Sequence, residues 1–179
     1  MVKHLSMILS KEDNLKFEDI YNTYRQTMFS VANRIIKDQY LSEDIIQRAF
    51  IRIISNLDKI DEVNSHQTKG FVAIIVQNIA IDFYRKRKKE NNVSLDAIEM
   101  YVEKLESEEI LGTTDLEEAI SKLPIKYANV LRLRFIYEYS YIDIAEILNT
   151  SESNIRQRVS RSKKKLKESL NKEYILDSL

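Results

Sequence analysis

Tyr141-Ile142-Asp143-Ile144-Ala145-Glu146-Ile147-Leu148-Asn149-Thr150-Ser151-Glu152-Ser153-Asn154-Ile155 decides the fold of this 179-residue chain. Ser140 stands just before it as a helix N-cap, and Asp143 occupies the reciprocal capping-box position. Ala145 falls mid-helix, where a small side chain lets a second helix cross closely. Four residues later Asn149 falls at a tight turn that needs left-handed backbone, which Gly or Asn tolerates. Ser151 caps a final helix predicted from Glu152 to about Asn171. Six residues after Asn149, Ile155 plugs that helix onto the first. Small residue, turn and plug at these offsets predict a helix-turn-helix.

The second helix of this motif has two faces. Ile155, Val159, Ser162, Leu166 and Leu170 recur at helical spacing and mark an inner stripe. Ser153, Arg156, Gln157, Ser160, Arg161 and Lys164 lie opposite. Arg and Gln can bond base edges in a major groove, and Lys and Arg can hold phosphates. The bland alternative is a helical hairpin with a solvated basic face.

Upstream, Leu116 to Leu123 reads as one helix, and Pro124 fits the first turn of the next. Ala128, Leu131, Leu133, Phe135 and Ile136 give that next helix its core side. Near the start, Phe17, Ile20, Tyr21, Tyr24, Met28, Val31 and Ile35 follow three-and-four spacing. A second helix is predicted from Ser42 as N-cap, with Glu43 and Asp44 in its first turn and Ile45, Ile46, Ala49, Phe50, Ile53 and Ile54 as its apolar face. Asn56 to Gly70 is polar and reads as a loop. Phe71 to Lys89 is a third helix, apolar all round in its first turns and therefore buried on several sides. Residues 90–115 form a connector of weak periodicity, in which Val93, Leu95, Ile98, Tyr101, Val102 and Leu105 suit one short helix. The expected fold is all-α: two small helical bundles, 14–90 and 115–171, joined by an acidic linker at 91–114, the second bundle a helix-turn-helix domain.

Composition narrows the chemistry. Gly 2 and Pro 1 argue against β-rich folds and remove every glycine-cradle phosphate motif. Cys 0 excludes disulfides, cysteine zinc sites and cysteine nucleophiles, and His4 and His66 are too few for a histidine metal centre. No apolar run is long enough to span a membrane, and Met1 to Asn14 has no signal-peptide pattern, which predicts a cytoplasmic protein. The formal net charge is zero, but residues 1–93 carry +3, residues 94–118 carry −8 and residues 119–179 carry +5. Basic charge concentrates in Arg85-Lys86-Arg87-Lys88-Lys89 and between Arg156 and Lys167. Two separated clusters suit two contacts with one polyanion, most simply nucleic acid; two solvated helix ends are the alternative.

Three stretches together resemble a known family. Leu41-Ser42-Glu43-Asp44-Ile45-Ile46-Gln47-Arg48-Ala49-Phe50-Ile51-Arg52-Ile53 is similar to the core-polymerase-binding helix of extracytoplasmic-function sigma factors, the compact two-domain group of the sigma-70 family. Gly70 to Arg87 is similar to that family's minus-ten helix. Leu123-Pro124 through Leu166 resembles its minus-thirty-five domain. Phe71 stands where the family usually has Trp, Asn149 replaces the common turn Gly, Tyr139 stands where Gly is frequent, and Ser153-Asn154 replaces a common Gly-Thr pair.

The resemblance implies a transcription initiation factor without catalysis, cofactor, metal or small-molecule substrate. Its partners would be core RNA polymerase, promoter DNA and a restraining anti-sigma factor, in this family often membrane-anchored. It places Asp44, Gln47, Arg48 and Ile51 against polymerase; these four share one helical stripe offset from the core side. It places Asn78, Asp82, Tyr84, Arg85, Lys86 and Arg87 on the minus-ten strand, with Asp61 to Lys69 cradling an unstacked base. An Asp82–Arg85 helix pair is the plain alternative for two of these. It places Ser153, Asn154, Arg156, Gln157, Ser160, Arg161 and Lys164 on the minus-thirty-five element. Restraint has two routes: the acidic connector folding over a basic cluster, or a partner covering the Asp44/Gln47 face. A stand-alone helix-turn-helix regulator is the competing function. A carboxylate-metal hydrolase built on Glu43, Asp44 and Asp82 is disfavoured, because these acids have no His or Cys beside them and have good cap or helix-pair explanations.

Overall fold

A computed structural model describes residues 10–90 and 115–176, with side chains as far as residue 170. The chain divides into two compact units, Met1–Ile98 and Glu99–Leu179. All regular structure among the described residues is helical. No helix among them is long and apolar enough to cross a membrane. The linker expected at 91–114 and the short helix expected within it lie outside the described residues.

In the first unit, α1 spans Lys11–Ile36, α2 Gln39–Ile54 and α3 His66–Glu90, and the three pack on one another. Ser10 caps α1 by accepting from the Asp13 amide at 3.1 Å. The core interlocks Phe17, Ile20, Met28, Ile45, Phe50, Phe71 and Ile75, all buried. The Phe50 ring meets Phe17 edge-on at 5.7 Å and Tyr21 at 4.8 Å. The all-round burial expected from Phe71 onward is observed at Phe71, Val72, Ile74, Ile75 and Val76, with Ala73 half-buried.

Two boundaries differ from the sequence expectation. Helix α2 is capped by Asp38, not Ser42: the Asp38 carboxylate accepts from the Leu41 amide at 3.1 Å. Lys37, left-handed at φ 55, reverses the chain at once and delivers Asp38 to the cap. Ser42 lies one turn in, fully buried, its hydroxyl donating to the Asp38 carbonyl at 2.7 Å. Glu43 and Asp44 are therefore outside the first turn. Helix α3 begins at His66, so the expected loop Asn56–Gly70 is shorter and already contains a 3-10 turn at Leu57–Lys59. The cause is Ser65, whose hydroxyl accepts from the Thr68 amide at 3.0 Å and caps α3 five residues early.

In the second unit, α4 spans Asp115–Ser121, α5 Ile125–Leu131, α6 Tyr141–Ile147 and α7 Glu152–Leu176, with a π turn at Arg132–Ile136 after α5. Helix α4 ends two residues short of the expected Leu123, and Pro124 is the N-cap of α5 rather than part of its first turn. Helix α7 runs five residues past the expected Asn171. Ile120, Leu123, Ala128 and Leu131 form a core cluster with Tyr127, Ile136 and Leu166 against it. The π turn, closed by the Tyr137 amide on the Arg132 carbonyl at 2.9 Å, inserts an extra residue into the helical phase. It keeps Leu133 buried but turns Phe135, expected in the core, outward to 40% exposure. It also buries Arg132 beside Glu117 and Tyr137. Burial pushes the Tyr137 phenol above its ordinary value, with Arg132 lowering it and Glu117 raising it.

Candidate nucleic-acid and polymerase interfaces

On the first unit the α2 stripe is outward. Gln47 and Arg48 are exposed, and Asp44 and Ile51 are half-buried. Asp44 and Arg48 form an i,i+4 ion pair at 2.8 Å. The Arg48 guanidinium also lies 5.9 Å from the centre of the Phe83 ring on α3. One turn on, Arg52 is half-buried between α2 and α3. Burial pulls its guanidinium below the usual range, and the Asp82 carboxylate opposes that. Arg52 and Phe83 thus tie the α2 stripe to the α3 face. Sequence reasoning missed Arg52. The i,i+4 spacing of Arg48 and Arg52 was the available signal.

On α3, Asp82, Lys86 and Arg87 are exposed, and Asn78, Tyr84 and Arg85 are half-buried. The Asn78 amide nitrogen donates back to the Ile74 carbonyl at 2.8 Å. The Lys88 ammonium lies 5.5 Å from the Tyr84 ring centre. The Asp61–Lys69 cradle is narrower than expected, because its second half is the first turn of α3. Thr68 is buried and donates to the Glu62 carbonyl at 2.7 Å, so it holds the loop rather than facing outward. Tyr24 donates to the Val63 carbonyl at 2.6 Å, and burial raises its phenol above the ordinary value. Asp61, Glu62 and Asn64 remain exposed.

On the second unit the helix-turn-helix forms as its offsets predict. Ser140 and Asp143 complete a capping box. Asn149 adopts φ 51, and the Thr150 amide closes the turn on the Ala145 carbonyl at 2.9 Å. Ser151 accepts from the Asn154 amide at 3.2 Å and starts α7. Ile155, Val159 and Ser162 are buried along the inner stripe; Leu166 is half-buried and Leu170 reaches 36% exposure, because α7 outruns the small core. A second left-handed residue falls on Glu138 at φ 59. Tyr139, expected at a glycine-like position, is instead buried.

Ser153, Arg156, Gln157, Ser160, Arg161 and Lys164 are all exposed on one side of α7. Asn154 is half-buried and spent locally: its amide nitrogen donates to Thr150 Oγ1, and its oxygen accepts from Arg158 Nε, each at 3.0 Å. Aromatic rings interleave the basic groups. The Arg156 and Arg134 guanidinium carbons lie 4.4 Å and 5.1 Å from the Tyr141 ring centre, and Lys163 lies 4.7 Å from Phe135. Arg134 Nη1 donates to the Tyr139 carbonyl at 3.1 Å. Arg134, Phe135, Tyr141 and Lys163 were missed from sequence, because the π turn that exposes Phe135 leaves no local mark. Among the described residues no three His, Asp or Glu side chains gather as a metal site requires.

Two helical units presenting polar and basic faces, one of them a helix-turn-helix, define a two-part DNA-recognition protein. Residues 20–90 match sigma-70 region 2, and residues 113–166 match sigma-70 region 4. The ECF RNA polymerase sigma factor SigW of Bacillus subtilis is 30% identical, the match covering 95% of this chain and 97% of that protein. The ECF RNA polymerase sigma factor SigM of the same organism is 27% identical over 86% of this chain and 94% of that protein. Among solved structures, the sigma factor RpoE in complex with the anti-sigma factor NepR from Bartonella quintana aligns at 20% identity and TM-score 0.40 over 87% of this chain and 96% of that chain. The chain belongs to the sigma-70 family, in its extracytoplasmic-function group of RNA polymerase sigma factors. It is a transcription initiation factor that brings core RNA polymerase to promoter DNA.

Proposed function

We propose that residues 14–90 bind core polymerase and the minus-ten element, that 91–114 link, and that 115–171 bind the minus-thirty-five element. Asp44, Gln47, Arg48 and Ile51 form the polymerase contact. Their mixed polar and apolar stripe on a rigid helix has the composition of an interface rather than a core. Asn78, Asp82, Tyr84, Arg85, Lys86 and Arg87 meet the minus-ten strand, Tyr84 by stacking and the basic groups on phosphates. Ser153, Arg156, Gln157, Ser160, Arg161 and Lys164 meet the upstream element. Asn154 serves there by holding the turn and Arg158. The protein performs no catalysis of its own and works beside polymerase in the cytoplasm. An anti-sigma partner restrains it by covering the Asp44/Gln47 face.

The observation that carries this assignment is the outward α2 stripe whose Arg48 also touches α3. It supports one surface on which polymerase docking and strand contact adjoin. The test is run-off transcription with core polymerase, with and without the full chain and its Asp44→Ala/Gln47→Ala variant. Loss of such paired contacts commonly costs about 1–3 kcal/mol, roughly 5- to 150-fold in affinity for core polymerase. The variant keeps wild-type helicity and loses transcripts. Unchanged capture of core polymerase removes the assignment of this face.

A further inference from the structure

We infer that Glu152 is a specificity-determining residue: its carboxylate locks Arg156 into a base-reading pose and holds it away from phosphates. This rests on the assignment of Arg156 to the upstream promoter element. Arg156 Nε donates to Glu152 Oε1 at 2.7 Å, and Nη2 approaches the same oxygen at 2.5 Å. The carboxylate therefore occupies the Nε/Nη2 edge of the guanidinium. The Tyr141 ring, 4.4 Å from the guanidinium carbon, covers one face. Tyr141 is flanked in turn by Arg134, which is anchored on the Tyr139 carbonyl. Arg156 thus rests against the first residue of α6 as well as against its own helix.

What remains outward is the Nη1/Nη2 end of the guanidinium. A guanidinium has five N–H donors in a rigid fork, and its end-on pair matches O6 and N7 of guanine. An unheld arginine at the same place would swing to phosphates, which attract it with no regard to sequence. The carboxylate opposes this twice. It fixes the fork, and it sets a negative charge on the first turn of a helix otherwise lined by Arg161, Lys163 and Lys164. Glu152 thus trades affinity for any duplex against discrimination between duplexes.

The test uses the full chain bound to core RNA polymerase, and E152Q, R156A and the double variant. The probes are a duplex pool randomised over the upstream element, sequenced before and after capture, and one fixed random-sequence duplex titrated across a salt series. E152Q is expected to lower the preference at one base pair by at least about fivefold, the low end for one bidentate arginine–guanine pair. It is also expected to bind the random duplex more tightly and to steepen the log–log salt slope by about 0.9, one added phosphate contact. In the R156A background, E152Q leaves the base preference unchanged and keeps only the general gain in duplex affinity that loss of one negative charge brings. If R156A erases a base preference while E152Q alters neither preference nor slope, the promoter assignment stands and the lock falls. A change in base preference by E152Q that persists without Arg156 makes Glu152 a base reader and overturns the lock. If R156A erases no preference, the promoter assignment of Arg156 falls and the lock with it.

Discussion

Ile155 is 0% exposed at the crossing of α6 and α7, and its replacement by Ala tests whether it is the plug of the helix-turn-helix. Ile155→Ala removes three carbons, worth about 2.4 kcal/mol at ~0.8 kcal/mol each. A residual cavity of about 50 Å³ adds about 1.2 kcal/mol at ~24 cal/mol per Å³. The expected loss is about 3.5 kcal/mol. A unit of this size holds roughly 3–8 kcal/mol in total, so the variant gives up about two-fifths of its stability or more. Amide hydrogen exchange across α6 and α7 reads this directly, as a several-hundred-fold loss of protection. Ile142→Ala removes the same atoms from a side chain that is 59% exposed on α6, and costs under about 1 kcal/mol. Protection within about tenfold of wild type in Ile155→Ala, or equal losses in both variants, would refute the plug and the burial on which it rests.

Alkaline pH tests the Tyr24 hydrogen bond. Burial raises this phenol above its ordinary 10.0, so the folded state keeps the proton that the unfolded state gives up. The stability it confers is full below about pH 10 and is lost as pH climbs through the raised value. Tyr24→Phe is less stable by about 1 kcal/mol at neutral pH through loss of the bond to Val63. That gap, read from urea midpoints, shrinks above pH 10; a constant gap defeats the reasoning. Glu138→Gly relieves a left-handed, exposed residue at φ 59, a conformation that costs other residues about 1–2 kcal/mol. Added unfolded-state entropy takes back about 0.4–1 kcal/mol. A net rise in melting temperature is expected, and a fall contradicts the backbone assignment.

What was legible in the chain obeys rules confined to a few neighbouring residues. The Ser140/Asp143 capping box, the left-handed Asn149, the Ser151 cap and the Ile155 plug are each specified within one or two helical turns, and each is observed. The errors arose where two local rules competed or where a rule spans elements. Ser42 and Asp38 are both good caps. Lys37 decides between them by going left-handed, and a lysine does not advertise that. The polar run before Phe71 looks like loop, yet Ser65 can cap and Gly70 can be tolerated in a helix held by a buried face. The π turn after α5 carries no sequence signature, so Phe135 was assigned to the core, although Leu133 and Ile136 were placed there correctly. That one slip hid the aromatic–cation surface, because Phe135 faces Lys163 only once the phase is shifted. The same holds for function. Asn154 was assigned to DNA as an exposed polar residue at the start of a recognition helix, but its half-buried amide is consumed by Thr150 and Arg158. Arg156 was correctly read as exposed, yet what decides its chemistry is the company of Glu152 and Tyr141. Tyr141 lies on a different helix, fifteen residues back in the chain. Side-chain type and periodicity say which groups can reach solvent; only packing between helices says how far each is already committed.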